Sequence, residues 1–177
     1  FADTKKAKKE QTADGAQPAM QQEEQHAHET LDIEQYIKET NSKITDKATQ
    51  EKVEKLLQAG SYKEVIAEYQ KLDKPIAIAY YAIKLAEKEN TADSYIGAGD
   101  YNTMLMQTAP DEKAKNFLSS NAVSCYQKAV DLDSNNTNNK IRLAGAFMEN
   151  GSAPIQGVSI LLEIVRQDST NVDALLM

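Results

Sequence analysis

Residues 121–136 read NAVSCYQKAVDLDSNN, and 35 positions on, residues 157–171 read GVSILLEIVRQDSTN. Tyr126 aligns with Leu161, Ala129 with Ile164, Val130 with Val165, Asp133 with Asp168 and Asn136 with Asn171. An apolar helix face closed by Asp and a run of Ser, Thr and Asn, restated at this period, marks an array of helical repeats. In such an array each unit buries its apolar face on the next.

Working outward toward the C-terminus, the last full repeat runs from Thr137 to Asn171, with Asn150-Gly151-Ser152 as its turn. Ile155, Val158, Leu162 and Val165 recur at helical spacing and predict the buried stripe of its second helix. Val172 to Met177 then reads as the opening of a further first helix, cut short. The expectation is a fragment of a longer array, because a finished solenoid closes with a polar-faced cap and this stretch ends on Leu-Leu-Met.

Toward the N-terminus, Pro110-Asp111 breaks one helix and caps the long one that reaches Asp133. Thr91 is placed to cap the helix carrying Tyr95, Ala98, Gly99, Met104 and Leu105. Before it, Pro75 opens a helix with Ile76, Ala79, Tyr80, Ile83 and Ala86 as its stripe. Gly60 ends a helix from about Asp46 to Ala59, and Ser61 with Glu64 spells a capping box for the next one. Leu31, Ile33, Tyr36 and Ile37 predict a short first helix ending near Asn41-Ser42. Residues 1–29 hold few large apolar side chains and predict a disordered tail.

Three stretches carry a family resemblance. AGSYKEVIAEYQKL (59–72) resembles the junction of a tetratricopeptide repeat (TPR), and AVSCYQKAVDLDSNN (122–136) resembles the second helix and tail of one. There Ala122 and Ala129 stand at the family's small packing positions and Tyr126 at its aromatic position, while Asp133-Ser134 replaces the usual Asp-Pro. KIRLAGAFMENG (140–151) resembles a first helix, with Leu143, Ala144 and Phe147 at packing positions. The resemblance implies an all-α, right-handed superhelix (solenoid) of antiparallel helix pairs over residues 30–177. It also implies binding of a protein or peptide without catalysis. Pairing between residues 73 and 110 stays open: the helices at 62–72 and 113–133 both look like second helices, yet two helices lie between them.

Composition narrows the partner. Twenty Lys and Arg against 27 Asp and Glu give a formal charge of −7, which disfavours nucleic acid or an anionic membrane. No apolar run reaches the ~20 residues of a membrane span. Cys125 is the single cysteine and falls on an apolar helix face with Ala122, Ala129 and Leu132, as a buried thiol would. Both histidines, His26 and His28, lie in the tail, which leaves no imidazole for a folded cleft, and no phosphate loop or metal motif appears. No cofactor is expected.

The expected function is therefore a non-enzymatic interaction scaffold. Asn102, Asn139, Lys140 and Arg142, polar residues on first helices, are the candidate partner contacts, and Tyr80, Tyr81, Tyr95, Tyr101 and Met104 are further candidates for a concave groove. Two alternatives stand beside it: a structural subunit that forms a homodimer through an open end carrying Leu175, Leu176 and Met177, and the recruiting module of a larger enzyme. The start Phe1-Ala2-Asp3 reads either as what a removed bacterial signal peptide leaves or as an arbitrary boundary of the sequence; a small residue before a charged tract fits the first, which favours the periplasm over the cytoplasm.

Overall fold

A computed structural model describes residues 31–151 and 153–177. The tail expected over residues 1–29 lies outside them. Among the described residues every regular element is an α-helix: α1 (Ile33–Ser42), α2 (Lys47–Gln58), α3 (Tyr62–Lys71), α4 (Pro75–Glu89), α5 (Ala92–Met106), α6 (Glu112–Leu132), α7 (Thr137–Asn150), α8 (Pro154–Gln167) and α9 (Val172–Leu176).

Short polar residues set the starts. Asp32, Asp46 and Asp111 each accept a hydrogen bond from the backbone amide three residues on, satisfying one of the amides a helix leaves orphaned. Thr91 and Ser94 form a reciprocal capping box at the head of α5. The box expected from Ser61 and Glu64 does not form, and Ser61 makes no side-chain cap. Its amide is already committed, donating to the Leu56 carbonyl at 2.9 Å while Gly60 donates to Leu57. Those two bonds close α2 with Gly60 at φ +64°, a value glycine takes without a Cβ clash. Asp73 closes α3 in the same manner at φ +51°, with Lys74 donating to Tyr69.

The two matched stretches fold alike. Asp133 and Asp168 both follow their helices at φ −139°, donating to Ala129 and Ile164 at 2.9 and 2.8 Å. Asn136 and Asn171 then turn their amides back to Asp133 and Asp168 at 3.3 and 3.2 Å, and their side chains cap α7 and α9. Tyr126 and Leu161 are buried at equivalent positions, as are Ala129 and Ile164, and Ala122 and Gly157.

From α2 onward packing runs along the chain, each helix lying chiefly on its neighbours in sequence, with α5 against α6 the most extensive pair, while α1 packs on α4. Tyr69, Ile76, Leu118, Val53 and Val65 are fully buried. Each such side chain contributes roughly 1.5–3 kcal/mol over leaving it in water. Of the stripe expected on α4, Ile76, Ala79 and Ala86 are buried and Tyr80 and Ile83 only half-buried, while Ala77, Ile78, Tyr81 and Ala82 are buried as well, because α3 and α5 flank the helix and α6 touches it. Tyr81 stacks on Tyr69, ring centroids 5.5 Å apart and nearly parallel.

One stripe is out of phase with its expectation. On α8 the buried residues are Gly157, Leu161 and Ile164; Ile155 is 79% exposed, Val158 and Leu162 also face solvent, and Val165 is half-buried. Leu161, Leu162, Ile164 and Val165 make two overlapping apolar rows, and periodicity alone cannot choose between them. The backbone approach decides: a Cβ on Gly157 would lie 2.5 Å from the Ala144 carbonyl oxygen, so α7 packs on the row that contains the glycine. On α6, Leu132 is likewise exposed, although Cys125, Ala122 and Ala129 are buried.

Candidate partner-binding surface

Alternate helices touch along one side of the molecule. The Gln70 amide of α3 donates to the Tyr101 hydroxyl of α5 at 3.4 Å. Asp100 of α5 accepts from the Arg142 guanidinium of α7. Gly145 of α7 lies under the terminal methyl of Met177, just beyond α9. On α5, Gly97, Asp100, Tyr101 and Met104 recur at i, i+3, i+4 and i+7 and so share one face. Met104 is 59% exposed, and a Cβ on Gly97 would meet nothing within 4 Å among the described residues. This α5 face, between Gln70 and Arg142, is the candidate surface.

A polar network fixes its edge. The Tyr126 hydroxyl of α6 donates to Asp100 at 2.8 Å and stands 3.3 Å from the Thr103 hydroxyl. The ring reaches that position because residue 99 is glycine; a Cβ there would fall 2.5 Å from a ring carbon. Burial, foremost, pushes the Tyr126 phenol up to about 12, so it remains a proton donor to Asp100. The Arg142–Asp100 pair is nearly half exposed on both sides and contributes at most ~1 kcal/mol to stability. Its role is positional. It joins α5 to α7 and leaves both charges within reach of solvent.

The four residues expected at the surface divide. Arg142 is exposed and Lys140 half-buried. Asn102 is wholly buried and donates to the Ala98 carbonyl at 2.8 Å, and Asn139 is buried with its amide donating to the Asn136 cap. Neither asparagine is free to meet a partner. A polar residue on a predicted helix reads as solvated until the packing around it is known, and both of these fall on the inward row. Of the aromatic candidates, Tyr81 and Tyr95 are buried and Tyr80 is half-buried with the Lys84 ammonium 5.6 Å from its ring centre. Tyr101 and Met104 do belong to the face. Asp100 and Gly97 were missed; the signal available was their i, i+4 and i, i+7 spacing to Met104.

A second exposed apolar group lies at the far end: Ile155, Val158 and Leu162 on α8, with Val172, Leu175, Leu176 and Met177. Elsewhere, burial raises the Cys125 thiol to about 12, with the Glu87 charge adding to it, so it stays protonated. Among the described residues, no group of three or more His, Cys, Asp or Glu side chains is placed to share a metal ion, and no helix is long and apolar enough to cross a membrane. No family model matches the chain, and comparison with curated proteins and with solved structures likewise gives no match.

Proposed function

We propose that the chain is a non-enzymatic, TPR-like scaffold that binds a protein or peptide on the face of its alternate helices. The pairing in this reading is α3–α4, α5–α6 and α7–α8, with α9 opening the next pair, stacked as a right-handed superhelix. That places the 62–72 helix first in its pair, not second, and the two intervening helices then count correctly. One observation carries the reading: at the junctions 133–136 and 168–171 the Asp has the same φ, the Asp and Asn amides make the same backbone hydrogen bonds, and the Asn side chain caps the next helix, which is what a repeating unit requires. The Gln70–Tyr101 and Asp100–Arg142 contacts add support, since they set alternate helices side by side.

A random-peptide display library panned on the full chain tests the function. Peptides enriched on the wild type and lost on Met104→Glu with Arg142→Glu support it. Enrichment unchanged by those substitutions, or none at all, overturns it.

A second copy of the chain is the other reading, favoured by the α8 row Ile155, Val158 and Leu162. That row is self-complementary: a two-fold axis beside Val158 sets Ile155 of each copy against Leu162 of the other. Sedimentation equilibrium separates the two, because a dimer built this way dissociates in Leu162→Glu.

A further inference from the structure

Ile76 and Ala79 near the start of α4 pack with Ala114 and Leu118 near the start of α6. Further along the same two helices lies a cavity of about 150 Å³, walled by Ile83 and Glu87 of α4, Tyr95 of α5, and Asn121, Ser124, Cys125 and Lys128 of α6. That volume compares with cavities that admit a benzene-sized molecule. Tyr95 leaves α5 on the side opposite Gly97, Asp100, Tyr101 and Met104, so this cavity and the α5 face belong to different surfaces.

Its chemistry is specific in three respects. Ile83, the Tyr95 ring and the protonated Cys125 thiol give an apolar interior. The Asn121 Nδ2 is buried with no hydrogen-bond partner among the described residues, and a buried donor left so costs stability unless something accepts from it. The walls are opposed in sign, with Lys128 on α6 and Glu87 on α4, the latter also bound by Lys84 at 2.9 Å. A ligand with net charge meets repulsion from one wall. A neutral group with one acceptor and one donor suits both, and the peptide unit is such a group.

We infer that this cavity anchors an apolar, leucine-sized side chain of a bound peptide, whose adjoining main-chain carbonyl accepts from the Asn121 side-chain amide. The carbonyl and Asn121 Nδ2 complete each other, the peptide N–H turns to Glu87, and the side chain fills the space beside Ile83 and Tyr95. The inference rests on the scaffold reading and adds a second recognition surface to it.

The test titrates the ¹⁵N-labelled full chain with N-acetyl-leucinamide and, separately, N-acetylglycinamide. Expected are saturable shifts of the Asn121 side-chain amide with the leucine probe, much weaker binding of the glycine probe, and affinity about tenfold lower in Asn121→Leu. The absence of saturable shifts in the wild type overturns the inference and leaves the cavity to water. Equal response to both probes, or undiminished affinity in a folded Asn121→Leu, overturns it too. Display peptides lost on the Met104→Glu, Arg142→Glu bait while the probe still binds would leave both surfaces standing; failure of the probe alone removes only this one.

Discussion

Helices α6 and α8 hold matched sequence and end in the same turn, yet they differ in how much of their circumference is covered. On α6, the outward positions Ser120, Ser124, Gln127 and Lys128 are polar. At the positions 35 residues on, Ser120 is replaced by Ile155 and Gln127 by Leu162, both exposed. The inner positions behave alike in the two helices: small residues at Ala122 and Gly157, large ones at Tyr126 and Leu161. Local sequence thus sets where each helix ends, and on α8 the close approach at Gly157 settles which face meets the helix before it. The outer row is not matched between them, and on α8 it exposes Ile155, Val158 and Leu162.

The largest effect expected from breaking this comparison concerns the two neighbouring leucines of α8. Leu161→Ala should lower unfolding free energy by about 2–5 kcal/mol, as removal of a buried leucine does, whereas Leu162→Ala should change it by no more than ~0.5 kcal/mol in the monomer. Urea denaturation of both variants at low protein concentration is the check; equal losses would mean that the phase of α8 is wrong. Next in size, Gly157→Ala should cost about 1–3 kcal/mol, because its Cβ meets a backbone oxygen of α7 that cannot step aside. Gly97→Ala, with open space around it, should instead stabilise α5 by about 1 kcal/mol through helix propensity. Thermal melts of the two variants should move in opposite directions.

Smaller again are the caps. Asn136→Ala and Asn171→Ala each remove one side-chain acceptor from equivalent geometry and should each cost about 1 kcal/mol in the element they start. Hydrogen exchange at Asn139 and Ala174, the third residues of α7 and α9, would register each loss locally. The smallest effect is electrostatic. Lys52 and then Lys71 hydrogen-bond the Glu68 carboxylate, at 2.7 and 2.9 Å, and hold its pKa below the usual glutamate range. A carboxyl lowered in the folded state stabilises fully above its unfolded pKa and loses that contribution as pH falls through the folded one. Glu68→Gln should therefore melt below the wild type near neutrality and approach it in acid; a gap that widens on acidification would contradict the assignment.

Much of the helix plan was legible because it is written in local chemistry. Asp46, Thr91, Asp111, Asn136 and Asn171 each hold a side-chain oxygen where the first amides of a helix need one, and Gly60 supplies the left-handed turn. What failed depended on tertiary contact. Ser61 and Glu64 carry the letters of a capping box, but the end of α2 claims the Ser61 amide first. Asn102 carries the letter of a surface contact and lies at the centre of the packing around α5. Within the candidate surface, Arg142 was readable as a polar residue on its helix, whereas Tyr101 and Met104 were legible only as residues that either pack in the core or line a groove. The Asp100–Tyr126 bond was not, since it depends on the space left by Gly99, a cross-helix fact with no periodic signature.

In the proposed scaffold α3, α5, α7 and α9 lie side by side and present one face. A nuclear Overhauser spectrum of the methyl- and aromatic-labelled chain tests it directly. Cross-peaks are expected from the Met177 methyl to the Gly145 α-protons, from the Tyr101 ring to the Gln70 side chain, and from the Tyr126 ring to Gly99. A spectrum that keeps the Tyr126–Gly99 peak but lacks both of the others would leave α5 packed on α6 with no shared face, and would contradict the proposal.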